Sequence, residues 1–199
     1  ASSKTPNNLI VNPSFERGTD GYIGVSSLST VVDIQIPHVG TKALKIDPGS
    51  SVSPGQYIDF VKGRTYEIGV WAKQVSGTAD NGQGNNKLRV GNSAGAPVFE
   101  VPFANLTVDW TKVSKRWKAT ETGCLPVTLS NYLTAGNRYF DDFYVIDVTD
   151  SVAIDANASA LSSLQNTVTQ QGKDISSQST SITDLNNSLK TTNDNVAKK

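Results

Sequence analysis

At 199 residues, 37 % of them hydrophobic and with a formal net charge of zero, the chain has room for one domain, or one domain plus an extension outside the packed core. The charge balance offers no attraction to nucleic acid or to an anionic membrane surface, which both draw on a basic excess. No run approaches the ~20 apolar residues that span a bilayer, so no membrane insertion is expected.

The chain opens on Ala1-Ser2-Ser3-Lys4 and further polar residues. No secretory signal is expected there, and the missing initiator Met points to a processed chain or a piece of a longer one. Strand patterns follow. Thr30 through Ile36 alternates apolar and polar residues, as do Tyr57–Phe60, Tyr66–Ala72, Lys87–Val90 and Trp110–Trp117. Val127–Ser130 and Phe140–Val148 complete the series. Period-two patterning rich in β-branched and aromatic residues is the strand signal. Pro48-Gly49, Pro54-Gly55, Lys62-Gly63, Gly91-Asn92 and Ala135-Gly136-Asn137 supply turn chemistry between the runs. Many short strands without helical periods between them predict an antiparallel sandwich or jelly roll. Ser76–Asn86 is rich in Gly, Asn and Asp and reads as a solvated loop.

Composition changes sharply near Asp150. All three Trp, six Tyr, six Phe and eight Pro precede residue 145. Beyond it Ile154, Leu161, Val168, Ile175, Ile182, Leu189 and Val196 recur every seven residues. Three positions after each of the first six stand Asn157, Leu164, Gln171, Gln178, Leu185 and Thr192. This is an a/d heptad seam, which predicts a helix of roughly 65 Å at ~1.5 Å per residue. The other positions are Ser, Thr, Asn and one glycine, which are poor helix formers, so partner chains are needed to bury the seam. The e and g positions carry almost no charge, which fits a homo-oligomer, and the heptads leave the strand number open. The expected boundaries are 1–149 for the sandwich and 150–199 for the stalk.

Catalytic constellations are missing from the pattern. Cys124 is the single cysteine and His38 the single histidine, and neither context suggests a nucleophile and its base. No pair of carboxylates is marked by spacing as a glycosidase pair, no Gly-rich phosphate loop opens a helix, and no His/Cys cluster suits zinc. The chain is therefore read as not an enzyme.

Five segments in order carry a family resemblance. Asn8-Leu9-Ile10-Val11-Asn12-Pro13-Ser14-Phe15-Glu16-Arg17-Gly18, Gly40-Thr41-Lys42-Ala43-Leu44-Lys45 and Gly63 through Lys73 come first. Trp110-Thr111-Lys112-Val113 and Tyr139 through Val145 follow. Together they resemble carbohydrate-binding modules of families 4, 9, 16 and 22, jelly rolls of the galactose-binding-like superfamily. The fold implied is an all-β jelly-roll sandwich, here with a C-terminal α-helical coiled coil. A module of this kind followed by a polar heptad stalk also resembles bacteriophage tail-fibre and host-specificity proteins, from which a trimer through residues 154–196 is expected.

The resemblance implies a structural Ca²⁺ held by Glu16, the Thr41–Lys42 backbone and either Asp141 or Asp142, with Asn12 a weaker candidate. Adjacent aspartates on a regular strand point to opposite faces, so only one of the pair is expected to serve. It also implies a glycan-binding face. Tyr66, Ile68 and Val70 are assigned to the core, which turns Glu67, Gly69, Trp71 and Lys73 outward. Trp71 is the first candidate for stacking on a sugar, with Glu67, Arg89 and Tyr132 beside it; Trp71 packed beneath a loop is the competing reading. Trp110 and Trp117 must face opposite sides, one of them inward, and Tyr22 and Tyr57 are loop-edge candidates. The expected role is attachment of an extracellular virion to a bacterial surface glycan or receptor, alongside other tail proteins. The rivals are a purely structural fibre domain and a binding module of a secreted glycosidase.

Overall fold

The computed structural model describes residues 5–49, 51–82 and 84–199. The Ala1–Lys4 stretch and Gln83 of the Ser76–Asn86 loop lie outside them. The chain forms two units, the first ending at Thr149 and the second comprising Asp150–Lys199.

The first unit is a sandwich. β1 (Ser29–Asp33), β2 (Lys42–Ile46), β4 (Thr65–Gln74), β8 (Thr111–Lys118) and β11 (Arg138–Asp147) form one antiparallel sheet in the order β1-β2-β11-β4-β8. β3 (Gly55–Phe60), β6 (Lys87–Gly91), β7 (Pro97–Pro102) and β9 (Gly123–Ser130) form the other, ordered β3-β9-β6-β7. A two-residue β5 (Ala79–Asp80) pairs with β10 (Leu133–Ala135) at one end.

Alternation decides which side chains meet between the sheets. From the five-stranded sheet come Leu44, Ile46, Tyr66, Ile68, Val70, Ala72, Phe140 and Val145. Ile58, Phe60, Leu88, Val90, Leu125, Val127 and Leu129 come from the other. Each large apolar side chain removed from water contributes about 1.5–3 kcal/mol before entropy is counted. Trp117 enters the same core, edge-on to Phe60 with ring centroids 5.2 Å apart. Trp110, seven residues earlier, stays on the outside.

Three departures from the sequence pattern have local causes. β7 lies between Pro97 and Pro102, whose missing N–H groups hide a strand signal; it is an edge strand, where proline is tolerated. β1 stops at Asp33 rather than Ile36, because Pro37 cannot donate and residues 34–41 leave the sheet as a loop. In β11 the register against β4 runs Asp141↔Trp71 and then Tyr144↔Gly69, so Asp142 and Phe143 together oppose Val70. This β-bulge, with Asp142 at φ 45°, breaks the alternation. The bulge leaves both aspartates buried, Asp141 against the Val39 N–H and Asp142 Oδ2 3.9 Å from His38 Nδ1.

The second unit is one helix. α1 (Thr149–Ala197) has no buried residue. Its stripe of nine aliphatic side chains, from Ile154 to Val196, is 56–68 % exposed. The Ser and Thr hydroxyls between them bond back to carbonyls one turn earlier, as Thr167 does to Ser163 and Thr180 to Ser176. Such back-bonding weakens a lone helix. Among the described residues no helix is long and apolar enough to cross a membrane.

Candidate functional site

The sandwich has two outward faces, and the four residues expected at a glycan site do not share one. Glu67 and Trp71 lie on the outer face of the five-stranded sheet, at positions of β4 between the core residues Tyr66, Ile68, Val70 and Ala72. Arg89 lies between Leu88 and Val90 on β6, on the outer face of the opposite sheet. Tyr132 sits half-buried at the end of the sandwich, where its N–H donates to Asn86 Oδ1 and its carbonyl accepts from Asn81 and Asn86. Period-two patterning tells which side of a strand a residue takes. It does not tell which sheet the strand joins.

The face carrying Trp71 is largely occupied by its own contacts. The His38 ring from the 34–41 loop stacks on the indole at 3.9 Å and 18°. Trp110 pins the same loop by donating from Nε1 to the Ile36 carbonyl at 2.8 Å. Lys73 lies over the Trp110 and Tyr139 rings, 5.0 and 5.7 Å from their centroids. Glu67 accepts from Tyr144 Oη at 3.0 Å and sits 3.6 Å from both Lys112 Nζ and Arg116 Nε. Tyr144 lies across Gly69, where a Cβ would meet its hydroxyl oxygen at 2.5 Å. Trp71 is thus half-buried, with His38 of the 34–41 loop stacked on its ring.

The opposite face is open. Tyr57 on β3 is 58 % exposed and points outward between the buried Gln56 and Ile58. Its cross-strand partner is Pro126, and beside Pro126 lies Gly91, where a Cβ would meet the Pro126 ring at 3.0 Å. The next row across this sheet is Gly55, Thr128, Arg89 and Glu100. Gly91 and Gly95 have no side chains, and a depression of about 190 Å³ forms there, walled by Arg89, Pro126, Thr128, Ser130 and Ser53. Arg89 is held at its rim by donating from Nη2 to the Gly95 carbonyl. An exposed ring beside hydroxyls and a cation is the surface a pyranose stacks and bonds on. The other loop-edge candidate, Tyr22, is buried against Phe15 and offers no ring to solvent.

The third place of interest is the loop from His38 to Lys42. Glu16 Oε1 accepts the N–H groups of Thr41 and Lys42 at 2.8 and 3.0 Å, and Oε2 accepts from Thr41 Oγ1 at 3.0 Å. Burial works to raise the Glu16 pKa, but these donors together outweigh it and leave the carboxyl below its ordinary value. Asp141 Oδ2 accepts from the Val39 N–H at 2.7 Å, and Oδ1 from Asp142 N–H at 2.7 Å. Burial nevertheless pushes the Asp141 carboxyl up to about 7. His38 Nδ1 lies 3.9 Å from Asp142 Oδ2. Asn12 organises the neighbouring turn, donating to the Gly18 and Asp20 carbonyls and accepting from Arg17 N–H. The two carboxylates expected on calcium thus hold the 39–42 loop by its N–H groups. Among the described residues no three His, Cys, Asp or Glu side chains gather to hold a metal ion. A Ca²⁺ ion takes six to eight oxygens, and it would share these carboxylate oxygens, each with a second lone pair, with the N–H donors.

Comparison with known proteins decides the family. The family model described as carbohydrate binding domain matches residues 7–130. The chain belongs to this family. Solved structures with the same fold include a Family 16 Carbohydrate Binding Module-2, 22 % identical over 70 % of this chain and all of that one, with a TM-score of 0.57. TmCBM61 in complex with beta-1,4-galactotriose is 24 % identical over 70 % of this chain and 98 % of that one, at 0.53. The enzymatically active domain of bacteriophage CBA120 tailspike protein 4 is 16 % identical over 71 % of this chain and 21 % of that one, at 0.50. No curated protein sequence matches the chain. The sandwich is accordingly a carbohydrate-binding domain of jelly-roll type, and carbohydrate binding is its function class.

The sequence reading missed Arg138 as a feature. It stands two residues before Phe140 on β11, an inward position, and it is buried. An arginine at core parity was the available signal.

Proposed function

We propose that this carbohydrate-binding domain takes glycan on the open face of its four-stranded sheet. Tyr57 stacks on a sugar ring, and Arg89, Thr128 and Ser130 bond hydroxyls around the adjacent depression. The observation that carries this is the contrast between the two aromatic candidates: the Tyr57 ring is open to solvent, whereas Trp71 is capped by His38. The role is binding rather than catalysis. The test is titration of the intact chain with neutral oligosaccharides, β-1,4-galactotriose among them, beside Tyr57→Ala and Trp71→Ala. Tyr57→Ala is expected to lose at least tenfold in affinity, and Trp71→Ala to stay within about twofold while melting lower. Loss confined to Trp71→Ala would move the site to the other sheet.

The wider reading is a phage tail-fibre or tail-tip segment that attaches to a bacterial surface glycan as a homotrimer, in contact with other tail proteins. Its support is the exposed aliphatic seam of α1 and the fold shared with a phage tailspike domain. A structural Ca²⁺ on Glu16, Asp141 and the Thr41–Lys42 backbone belongs to the same proposal. Millimolar Ca²⁺ should raise the melting midpoint, EDTA should reverse the rise, and Glu16→Gln should remove it. An unchanged midpoint would leave these residues the loop clamp alone.

A further inference from the structure

Arg138 is an anomaly in this sandwich. It is 3 % exposed, yet none of the ion pairs among the described residues includes it. Its acceptors are neutral amide oxygens. Nη1 donates to Asn86 Oδ1 at 3.3 Å and to Asn131 Oδ1 at 3.2 Å, and Nη2 to Gln74 Oε1 at 3.0 Å. A guanidinium has five N–H donors. Three are spent here, which leaves one on Nη2 and the Nε–H, which is buried with no acceptor. These two nitrogens share one edge of the planar group, and that edge is the fork that takes a carboxylate through two parallel bonds. The Phe103 ring, 5.6 Å from the guanidinium carbon, backs one of its flat sides.

Arg138 also forms part of the wall of a pocket of about 390 Å³, whose other polar walls are Gln74, Thr78, Asp80 and Asn105. That volume falls within the ~300–1,000 Å³ of small-ligand sites. The rim is built rather than loose. Asp80 lies on β5, paired to β10, and Thr78 Oγ1 donates to the Val75 and Asn137 carbonyls. Burial lowers the Arg138 pKa to about 10, so the group stays charged at neutral pH.

We propose that this end pocket binds the carboxylate of an acidic sugar residue, a hexuronate unit of a polysaccharide, through the unspent edge of Arg138. A hydroxyl offers that edge a single acceptor atom, whereas a carboxylate offers two in the matching geometry. Nε is itself buried, so the pocket wall has to yield over it for the second bond to form. Asp80 at the rim repels such a ligand, which sets the direction of its test. The site is separate from Tyr57, so the domain would read two features of one glycan: ring stacking on the sheet face and charge at the end.

The experiment is calorimetric titration of the intact chain with trigalacturonate, its methyl ester, acetate and inorganic phosphate. Trigalacturonate is expected to bind at least tenfold tighter than the ester, which keeps every hydroxyl but loses the charge. Ala104→Glu places a carboxylate at the exposed rim and should abolish binding. Asp80→Asn should tighten it. Arg138→Gln should abolish it, and because that variant loses buried bonds, Arg138→Lys is measured beside it: charge without the fork should weaken binding at least fivefold in a chain that melts cooperatively. Ala104→Glu should leave the binding of neutral β-1,4-galactotriose unchanged, so the failure of either site shows separately. Equal binding of acid and ester, or weaker binding in Asp80→Asn, would overturn the proposal in favour of hydroxyl recognition. Acetate or phosphate binding as tightly as trigalacturonate would reduce it to a free-anion site, and no binding of trigalacturonate would end it.

Discussion

A single side chain can carry a pH signature that tests whether the strand β11 ends as described. Asp147 accepts from Arg64 Nε and from the Thr149 N–H and hydroxyl. Burial pushes its pKa up, but these bonds outweigh it and hold the carboxyl below its ordinary value. A carboxyl whose folded pKa lies below its unfolded value of about 3.9 adds stability above that pH, and loses it as pH falls through the folded pKa. A half-exposed pair of this kind contributes about 0.5–1 kcal/mol. Asp147→Asn should therefore melt a few degrees lower at pH 7, with the gap to the parent closing toward pH 3. A gap constant across that range would show that the bonds do not depend on charge. The same scale shows what the sequence could and could not reveal. The inward set Tyr66, Ile68 and Val70 and the outward set Glu67 and Trp71 were legible from alternation alone. That His38 would cap Trp71 was not, because the stack joins residues 33 positions apart through a loop with no periodic pattern.

At the scale of an element, the sheet pairings depend on positions where no side chain fits. Gly55 begins β3, and a Cβ there would lie 2.1 Å from the Val127 carbonyl oxygen and 2.8 Å from Thr128 Cα. Both are backbone atoms of β9, so relief requires the strands to separate. Gly55→Ala should cost about 2–3 kcal/mol, the upper part of the usual range for overpacking. That corresponds to about 5–10 °C in melting midpoint for a domain of this size. Calorimetry decides it: a midpoint within 2 °C of the parent would mean that the β3–β9 contact is looser than described. Pro54-Gly55 reads as turn chemistry in the sequence, yet Gly55 serves close strand approach, a role glycine shares with turns. The β11 bulge was hidden for a related reason. Tyr139–Val148 alternates poorly on paper, and only the pairing with β4 shows that one extra residue, at Asp142–Phe143, resets the register. The bulge buries both aspartates and brings Asp141 to the Val39 N–H. The loop clamp therefore depends on an irregularity that no spacing rule announces.

At the scale of the whole chain, the question is what α1 does with nine exposed aliphatic side chains on one seam. A single helix of Ser, Thr and Asn with Gly172 at its interior should not hold 49 residues in water, since nucleation is costly and propagation weak for these residues. Under the proposed self-association, burying the seam against copies of the chain would supply the missing stabilisation. Only two of the six d layers are Leu, at Leu164 and Leu185, and the others are the polar Asn157, Gln171, Gln178 and Thr192, so that stabilisation is modest and the assembly should be concentration-dependent. Ile175 stands at the middle a position, and Ile175→Asp would put one buried charge per strand into the seam. The expected result is loss of the helical far-ultraviolet signal and a monomer by light scattering, while the aromatic near-ultraviolet signal of the sandwich persists. Binding to a multivalent glycan surface should then fall by about 10²–10⁴, with affinity for a free oligosaccharide unchanged, because effective concentration is lost and no contact is. A variant that stays helical and oligomeric would place the assembly elsewhere. One that turns monomeric yet holds the surface as tightly would show that each sandwich binds strongly enough alone, and the stalk would then serve reach instead of avidity.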